Sequence, residues 1–72
     1  MIHIHHVTYT PWLEVYAEST TTIVNPIYKS AREFLWYRVS IWGWTATSDN
    51  QVAKVDRNGF LDVVTYWEKE IE

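Results

Sequence analysis

Two strands joined by a tight turn are predicted by the stretch Gln51-Val-Ala-Lys-Val-Asp-Arg-Asn-Gly-Phe-Leu-Asp-Val-Val-Thr-Tyr-Trp67. Asp56 leads this turn and Gly59 ends it, as in a type I turn closed by a left-handed glycine. Counting outward from the turn pairs Val55 with Leu61, Lys54 with Asp62 and Ala53 with Val63. This register places an ion pair across one face of the hairpin and small apolar residues across the other, so it is self-consistent.

The composition of the whole chain also favours strands. Of its 72 residues, 34 are aromatic, Val, Ile or Thr, whereas 21 are good helix formers. A chain of this length is below the usual size of a domain, so we expect residues 1–72 to form a single domain with a thin core. The predicted fold is mainly β (α+β): a small antiparallel meander or a partly open barrel of five to six strands, with one short helix.

The alternation of apolar residues slips within the N-terminal segment. Ile2 and Ile4 share one face of the predicted first strand, whereas Val7 and Tyr9 share the other. This change of face predicts a bulge near His5-His6, or a strand that changes partners.

Pro11 ends the first strand, because proline lacks the N–H donor that a strand ladder needs. A second alternating run follows, with Trp12, Glu14, Tyr16 and Glu18 on one face. The strands predicted in the N-terminal segment lie at residues 2–9, 12–18 and 20–24.

A helix is predicted at residues 26–34. Asn25 is a good N-cap, and Pro26 suits the first helical position because no hydrogen bond is lost there. An extended connection is the alternative, since Tyr28 and Phe34 suit strands equally well.

The remainder of the chain predicts three strands, at residues 35–47, 51–56 and 59–69. The turn between the first two is predicted as a two-residue loop, at 48–49 or at 49–50. Either loop places Ala53 and Val55 on the same face as the even-numbered residues of the preceding strand.

Both faces of this predicted meander are apolar. One face carries Trp42, Trp44, Ala46, Ala53, Val55, Leu61, Val63 and Trp67. The other carries Leu35, Tyr37, Val39, Ile41, Val52, Phe60, Val64 and Tyr66. The helix and the N-terminal strands are expected to cover one face, and a folded-over sheet or another chain the second. We therefore expect a homodimer, formed through the 35–41 face or through an unpaired strand edge.

Charge and composition exclude several classes of function. Six Lys and Arg against nine Asp and Glu give a net charge of −3, and the cations are scattered, which argues against a nucleic-acid partner. No apolar run approaches the roughly 18 residues of a membrane span, and the first six residues lack a signal-peptide pattern. We expect a cytoplasmic protein without a membrane partner. In the absence of cysteine, neither a disulfide nor a thiolate metal site can form.

His3 and His5 have the spacing of metal ligands on a strand, because residues two apart point to the same face. A metal site would need a third ligand, which Glu14 or Glu18 would have to supply. His6 points to the opposite face. Partly exposed histidines are the simpler interpretation, and we predict neither a metal nor a cofactor.

Aromatic residues are the strongest functional signal in the chain. Five Trp and five Tyr in 72 residues exceed what a thin core needs. Exposed Trp and Tyr anchor many protein interfaces, and acidic neighbours steer the encounter with a partner. The predicted binding residues are Trp12, Glu14, Tyr16, Glu18 and Trp36.

The sequence contains no catalytic arrangement, because its three histidines lie within four positions and it has neither a Gly-x-Ser-x-Gly elbow nor a glycine-rich phosphate loop. The chain resembles the small proteins of phages and mobile elements that occupy a host protein's surface, anti-CRISPR proteins among them. The likeness is one of size and composition and covers no motif. It implies a non-enzymatic inhibitor of a protein partner. The alternative is a small β-barrel that binds a nucleotide, single-stranded nucleic acid or another planar ligand by aromatic stacking.

Overall fold

A computed structural model describes residues 1–25 and 27–68, in which one helix covers one face of an antiparallel sheet. The elements are β1 Ile2–Thr10, β2 Val15–Ile23, α1 Ala31–Ser40, β3 Thr45–Ala46, β4 Gln51–Val55 and β5 Leu61–Glu68. The order across the sheet is β2-β1-β5-β4-β3, so β1 lies between β2 and β5. The predicted mainly β antiparallel architecture is confirmed. The sheet is open, with β2 and β3 at opposite edges, so the barrel alternative was wrong.

The hairpin of β4 and β5 has the predicted register, including the pairs of Val55 with Leu61 and of Lys54 with Asp62. The carboxylate of Asp56 accepts hydrogen bonds from the backbone N–H groups of Asn58 (2.8 Å) and Phe60 (3.1 Å). Gly59 has φ +91°. The predicted turn is therefore confirmed, although residue 69, the predicted end of the last strand, lies outside the described residues.

The predicted ion pair across this hairpin is not formed. One carboxylate oxygen of Asp62 accepts a hydrogen bond from the Thr8 hydroxyl (2.8 Å) and lies 3.1 Å from Nε2 of His6. The Lys54 ammonium lies 5.9 Å from the centre of the Trp44 ring instead. Lys54 and Asp62 lie opposite each other but form no ion pair, because His6 and Thr8 on β1 lie closer to the Asp62 carboxylate.

The turn before β4 is a three-residue loop, so both predicted two-residue loops were wrong. Thr45 pairs with Ala53 and Ala46 with Val52, and the Thr47 N–H donates to the carbonyl of Gln51 (2.9 Å). A loop one residue longer or shorter reverses which residues share a face. Ala53 therefore lies on the face of odd-numbered residues of β3, not the even-numbered ones.

The helix begins five residues later than predicted and replaces residues 35–40 of the predicted 35–47 strand. The Ser30 hydroxyl accepts from the N–H of Glu33 (3.2 Å), and the Glu33 carboxylate accepts from the N–H of Lys29 (2.8 Å). This exchange resembles a capping box, and it places the N-cap at Ser30 rather than Asn25. Capping and packing outweigh the strand preference of the aromatic residues in this segment. The predicted role of Pro26 lies outside the described residues.

The N-terminal segment forms two long strands rather than three strands and a bulge. β1 pairs with both β2 and β5 in unbroken registers, so the predicted bulge at His5-His6 is absent. The change of face arises because β1 has side chains packed on both faces of the sheet. The residues Pro11–Glu14 form a turn in which Glu14 has φ +53°, and β2 then includes residues 20–23 of the predicted third strand.

The core lies between α1 and the sheet, mainly over β3, β4 and β5, and β1 contributes Ile2 to it. Its buried residues are Ile2, Ala31, Leu35, Val52, Val64 and Tyr66. The Tyr66 hydroxyl accepts a hydrogen bond from Nε of Arg38 (2.9 Å), which satisfies the polar end of a buried ring. The N-terminal strands extend the sheet instead of covering it. Within the described residues, no element lies over the opposite face, which we call the open face.

Replacing Gly59 with alanine is expected to lower the free energy of unfolding by about 1–2 kcal/mol, because a side chain is disfavoured in the left-handed region. The new Cβ would lie 3.5 Å from Cζ3 of Trp12, an ordinary contact, so the cost comes from the backbone. Urea denaturation measures the change, with Arg57→Ala in the same turn as the control. Equal effects of the two substitutions would contradict the assignment of this turn.

Leu35→Ala is expected to lower the free energy of unfolding by about 2–5 kcal/mol, because it opens a cavity in a thin core. Trp36→Ala removes a larger side chain that is 58% exposed, and it should cost less than about 1 kcal/mol. Thermal and urea denaturation of this matched pair test which side of the helix packs on the sheet. A larger loss for Trp36→Ala would show that the orientation is wrong.

Candidate functional site

The strand registers align four apolar side chains in a row across the open face. Tyr16 on β2 pairs with Tyr9 on β1, Tyr9 with Leu61 on β5, and Leu61 with Val55 on β4. Residues directly opposite one another share a face of the sheet and touch. The rings of Tyr9 and Tyr16 stack with their centres 4.5 Å apart. The row thus forms one apolar band perpendicular to the strands.

The next row continues this band toward the middle of the sheet. It runs from Glu18 through Val7, Val63 and Ala53 to Thr45. Its centre is aliphatic, and its one charged residue lies at the β2 edge. We call the apolar residues of these two rows the apolar half-face: Val7, Tyr9, Tyr16, Ala53, Val55, Leu61 and Val63.

The other half of the open face is polar. One row contains Thr20, His5, Thr65 and Gln51, in which the Gln51 amide donates to the Thr65 hydroxyl (3.2 Å). The last row contains Thr22, His3 and Trp67. The open face is therefore divided between an apolar half and a polar half.

The ends of the apolar half-face reach solvent. Tyr16 is 65% exposed and Val55 is 67% exposed, whereas Val7, Leu61 and Val63 are half-buried. Large apolar side chains that form one contiguous exposed patch are typical of surfaces that bind other molecules.

Trp12 lies at the same end of the sheet, in the turn between β1 and β2. Its ring meets the Phe60 ring edge to face, with the centres 4.8 Å apart, and it remains 57% exposed. The contact joins the β1–β2 turn to the β4–β5 turn, so both turns border the apolar half-face as one unit.

The structure brings together only some of the predicted binding residues. Tyr16 and Glu18 lie on the open face in adjacent rows, and Trp12 lies at the end of the same sheet. Trp12 and Glu14 belong to a turn, so the single strand face predicted for residues 12–18 was wrong. Trp36 lies on the helix that covers the opposite face, and it is separate from this surface.

The histidines do not form a metal site in the described part of the chain. His3 and His5 share the open face as predicted, but no group of three His, Asp or Glu side chains is placed to hold an ion among residues 1–25 and 27–68. The His3 ring stacks on Trp67, with the centres 5.3 Å apart, and its Nδ1 lies 2.9 Å from the Thr22 hydroxyl. His6 lies on the opposite face beside Asp62, as its parity predicted.

A second feature is a cleft of about 590 Å³ beside β4, and Val55 of the apolar half-face forms part of its lining. The lining also includes Trp42, which is 91% exposed, the cations Lys54 and Arg57, and the acidic residue Asp56. Gly43 beside Trp42 has φ +96°, so the 41–44 segment is a turn rather than the predicted strand. The cleft combines an aromatic ring with two cations.

Tyr9 and Val7 were not predicted as members of the candidate site. Val55, Leu61 and Val63 were predicted on one face, because the β4–β5 turn sets their register. The missing signal was the pairing of β1 with β5, which aligns Tyr9 with Leu61. The shared parity of Val7 and Tyr9 is the one local pattern that indicated their common face.

No protein-family model, curated protein or solved structure matches this chain. In the residues that the structure describes, no helix has the length and apolar character needed to cross a membrane.

The contact of Trp12 with Phe60 is expected to couple the two turns energetically. A double-mutant cycle with Trp12→Ala and Phe60→Ala should give a coupling free energy of about 0.5–1.5 kcal/mol, the usual value of an aromatic pair. Urea denaturation of the two single variants and the double variant measures it. A parallel cycle with Trp42→Ala and Phe60→Ala should give no coupling, and coupling of equal size in both cycles would contradict the assignment.

Proposed function

We propose that this chain is a non-enzymatic binding protein whose apolar half-face docks on a protein partner and inhibits it. The observation that carries the proposal is the row of Tyr16, Tyr9, Leu61 and Val55 across four strands, uncovered by any described part of the chain. Aromatic and aliphatic side chains on a rigid sheet bind with little loss of side-chain entropy, since their rotamers are already restricted.

The size of the surface supports a protein as the partner. Strand spacing makes a five-stranded sheet about 20 Å wide, and a nine-residue strand is about 30 Å long. A standard interface buries about 800 Å² on each partner, with a central apolar cluster and a polar rim. The half-face supplies the central cluster, with Glu18 and Trp12 at its border.

Charge supports a protein rather than a nucleic acid. No lysine or arginine occupies any of the four rows described on the open face, and the acidic side chain there is Glu18. Phosphate backbones are bound by cations, so an anionic strand would find no counter-charge on this face. A basic patch on a protein partner would be attracted by Glu18 during the encounter.

Inhibition is the mode of action that suits a domain of this size. A small, rigid sheet that occupies a partner's surface blocks whatever else binds there. The small inhibitory proteins of phages, which the chain resembles in size and composition, act in this way.

A photo-crosslinking amino acid at residue 16, compared with one at residue 36, tests the proposal. Both positions are exposed aromatic sites, but Tyr16 lies on the open face and Trp36 on the helix. In lysate from cells that express the chain, mass spectrometry should identify one protein, other than a second copy of this chain, that is joined to position 16 and absent from position 36. Equal labelling from both positions, or none from position 16, would refute the proposed surface.

Val55→Asp is expected to weaken binding to the partner identified in that way by about tenfold or more, because it places a charge within the apolar interface. The control is Val24→Asp, since Val24 is 59% exposed and lies outside the half-face. Both variants should melt near the wild-type temperature, because neither side chain is buried. Isothermal titration measures the affinities, and equal affinities of the two variants would contradict the proposed site.

The cleft at Trp42 supports a second candidate function, the binding of a planar anionic ligand such as a nucleotide. Stacking on the ring and charge from Lys54 and Arg57 would provide the affinity. Titration with a mixture of nucleotides, followed by Trp fluorescence, tests it. Binding that weakens with salt and is lost in Trp42→Ala supports this function, and unchanged fluorescence excludes nucleotides.

A further inference from the structure

The strand β2 forms one edge of the sheet and is long. It covers nine residues, Val15–Ile23, and in residues 1–25 and 27–68 it pairs with β1 alone. Residues 15–22 are exposed, and Ile23 is half-buried. The outward side of an edge strand carries backbone N–H and C=O groups that another strand satisfies best.

β2 lacks the features that normally protect an edge strand from pairing. Val15–Ile23 contains no Pro, Gly, Lys or Arg, and its one charged residue is Glu18. Its pairing with β1 is unbroken, so no bulge twists the edge away. The helix packs over β3, β4 and β5, at the far side of the sheet.

The opposite edge of the sheet shows which kind of assembly this strand can form. β3 at that edge contains only Thr45–Ala46. Pairing of β2 with β3 of another copy would use two residues and leave most of β2 unpaired. Pairing of β2 with β2 of a second copy uses the full strand. This contact is isologous, so it gives a closed dimer.

We propose that β2 pairs antiparallel with β2 of a second copy, centred on Ser19, to give one continuous sheet. In this register Val15 lies opposite Ile23 of the partner subunit, and all nine residues of each strand are paired. The two residues of every pair are both odd-numbered or both even-numbered. The helices of the two copies therefore lie on one side of the combined sheet, and the two open faces lie on the other.

Charge selects the same register. Centred on Ser19, the contact places Glu18 opposite Thr20 of the partner subunit. Centred on Glu18, it would place two carboxylates directly opposite each other, which is destabilising. Centred on Thr20, it would leave Val15 and Tyr16 without a partner residue in the opposite strand.

The second copy also covers apolar side chains that the helix does not reach. Val15 and Ile23 lie on the helix side of the sheet, because they pair with Thr10 and with the buried Ile2. Joining the two edges would pack Val15 against the partner's Ile23 at each end of the contact. The apolar half-face stays open on the other side, so this dimer is independent of the proposed function.

Sedimentation equilibrium of the purified chain across the micromolar range tests the dimer. The wild type should give the mass of two chains. Thr20→Glu places a carboxylate opposite Glu18 of the partner subunit twice in each dimer, and it should raise the dissociation constant about tenfold. Thr20→Lys is the matched control, since it offers an ion pair at the same two places and should retain the dimer.

The double variant Glu18→Lys with Thr20→Glu should restore the dimer, because opposite charges then face each other at both places. Thermal melting at low concentration confirms that each variant folds. A wild type with the mass of one chain would overturn the proposal, as would a dimer equally stable with Thr20→Glu and Thr20→Lys. Crosslinking from position 16 distinguishes the two proposals, because a bond to a second copy of this chain reports the dimer, whereas a bond to a different protein reports the partner of the apolar half-face. The two proposals therefore fail separately.

Discussion

The pairing of β1 with β2 on one side and with β5 on the other is the constraint on which the rest of the structure depends. It joins the two ends of the chain, since Val7 pairs with Val63 and Tyr9 with Leu61. Because both registers are unbroken, side chains from four strands align in rows on the open face. The apolar half-face exists only through this alignment. The same pairing leaves β2 at the edge of the sheet.

A single helix of ten residues cannot cover a sheet of five strands. α1 is about 15 Å long, and it closes one core with Leu35 beside Val52 and Val64. The opposite face keeps its tyrosines and valines in contact with water. Apolar surface contributes about 25 cal/mol per Å² when it is buried, so an uncovered half-face retains free energy that a partner can use. The thin core and the proposed binding surface thus have one origin.

The two proposed contacts use different parts of the molecule and are compatible. An antiparallel pairing of the two β2 edges has its two-fold axis perpendicular to the combined sheet. Both open faces then lie on the same side, each with its own apolar half-face. A dimer of this kind would present two binding surfaces to a symmetric or repeated partner, and the second contact would form at a raised effective concentration.

The sequence by itself determined the β character of the chain and the β4–β5 hairpin. Asp56 and Gly59 select the turn, and the turn selects the register, because this chemistry acts over only a few neighbouring residues. Tyr16 was predicted as a binding residue from local alternation, but the rest of its row was not. The start of the helix has a local signal in the exchange between Ser30 and Glu33, and a tertiary one in the Glu68 carboxylate on the last strand, which accepts from the Ala31 N–H (2.8 Å). Only the tertiary structure decided the position of β1, since the backbone groups of a strand carry no mark of which distant strand will pair with them.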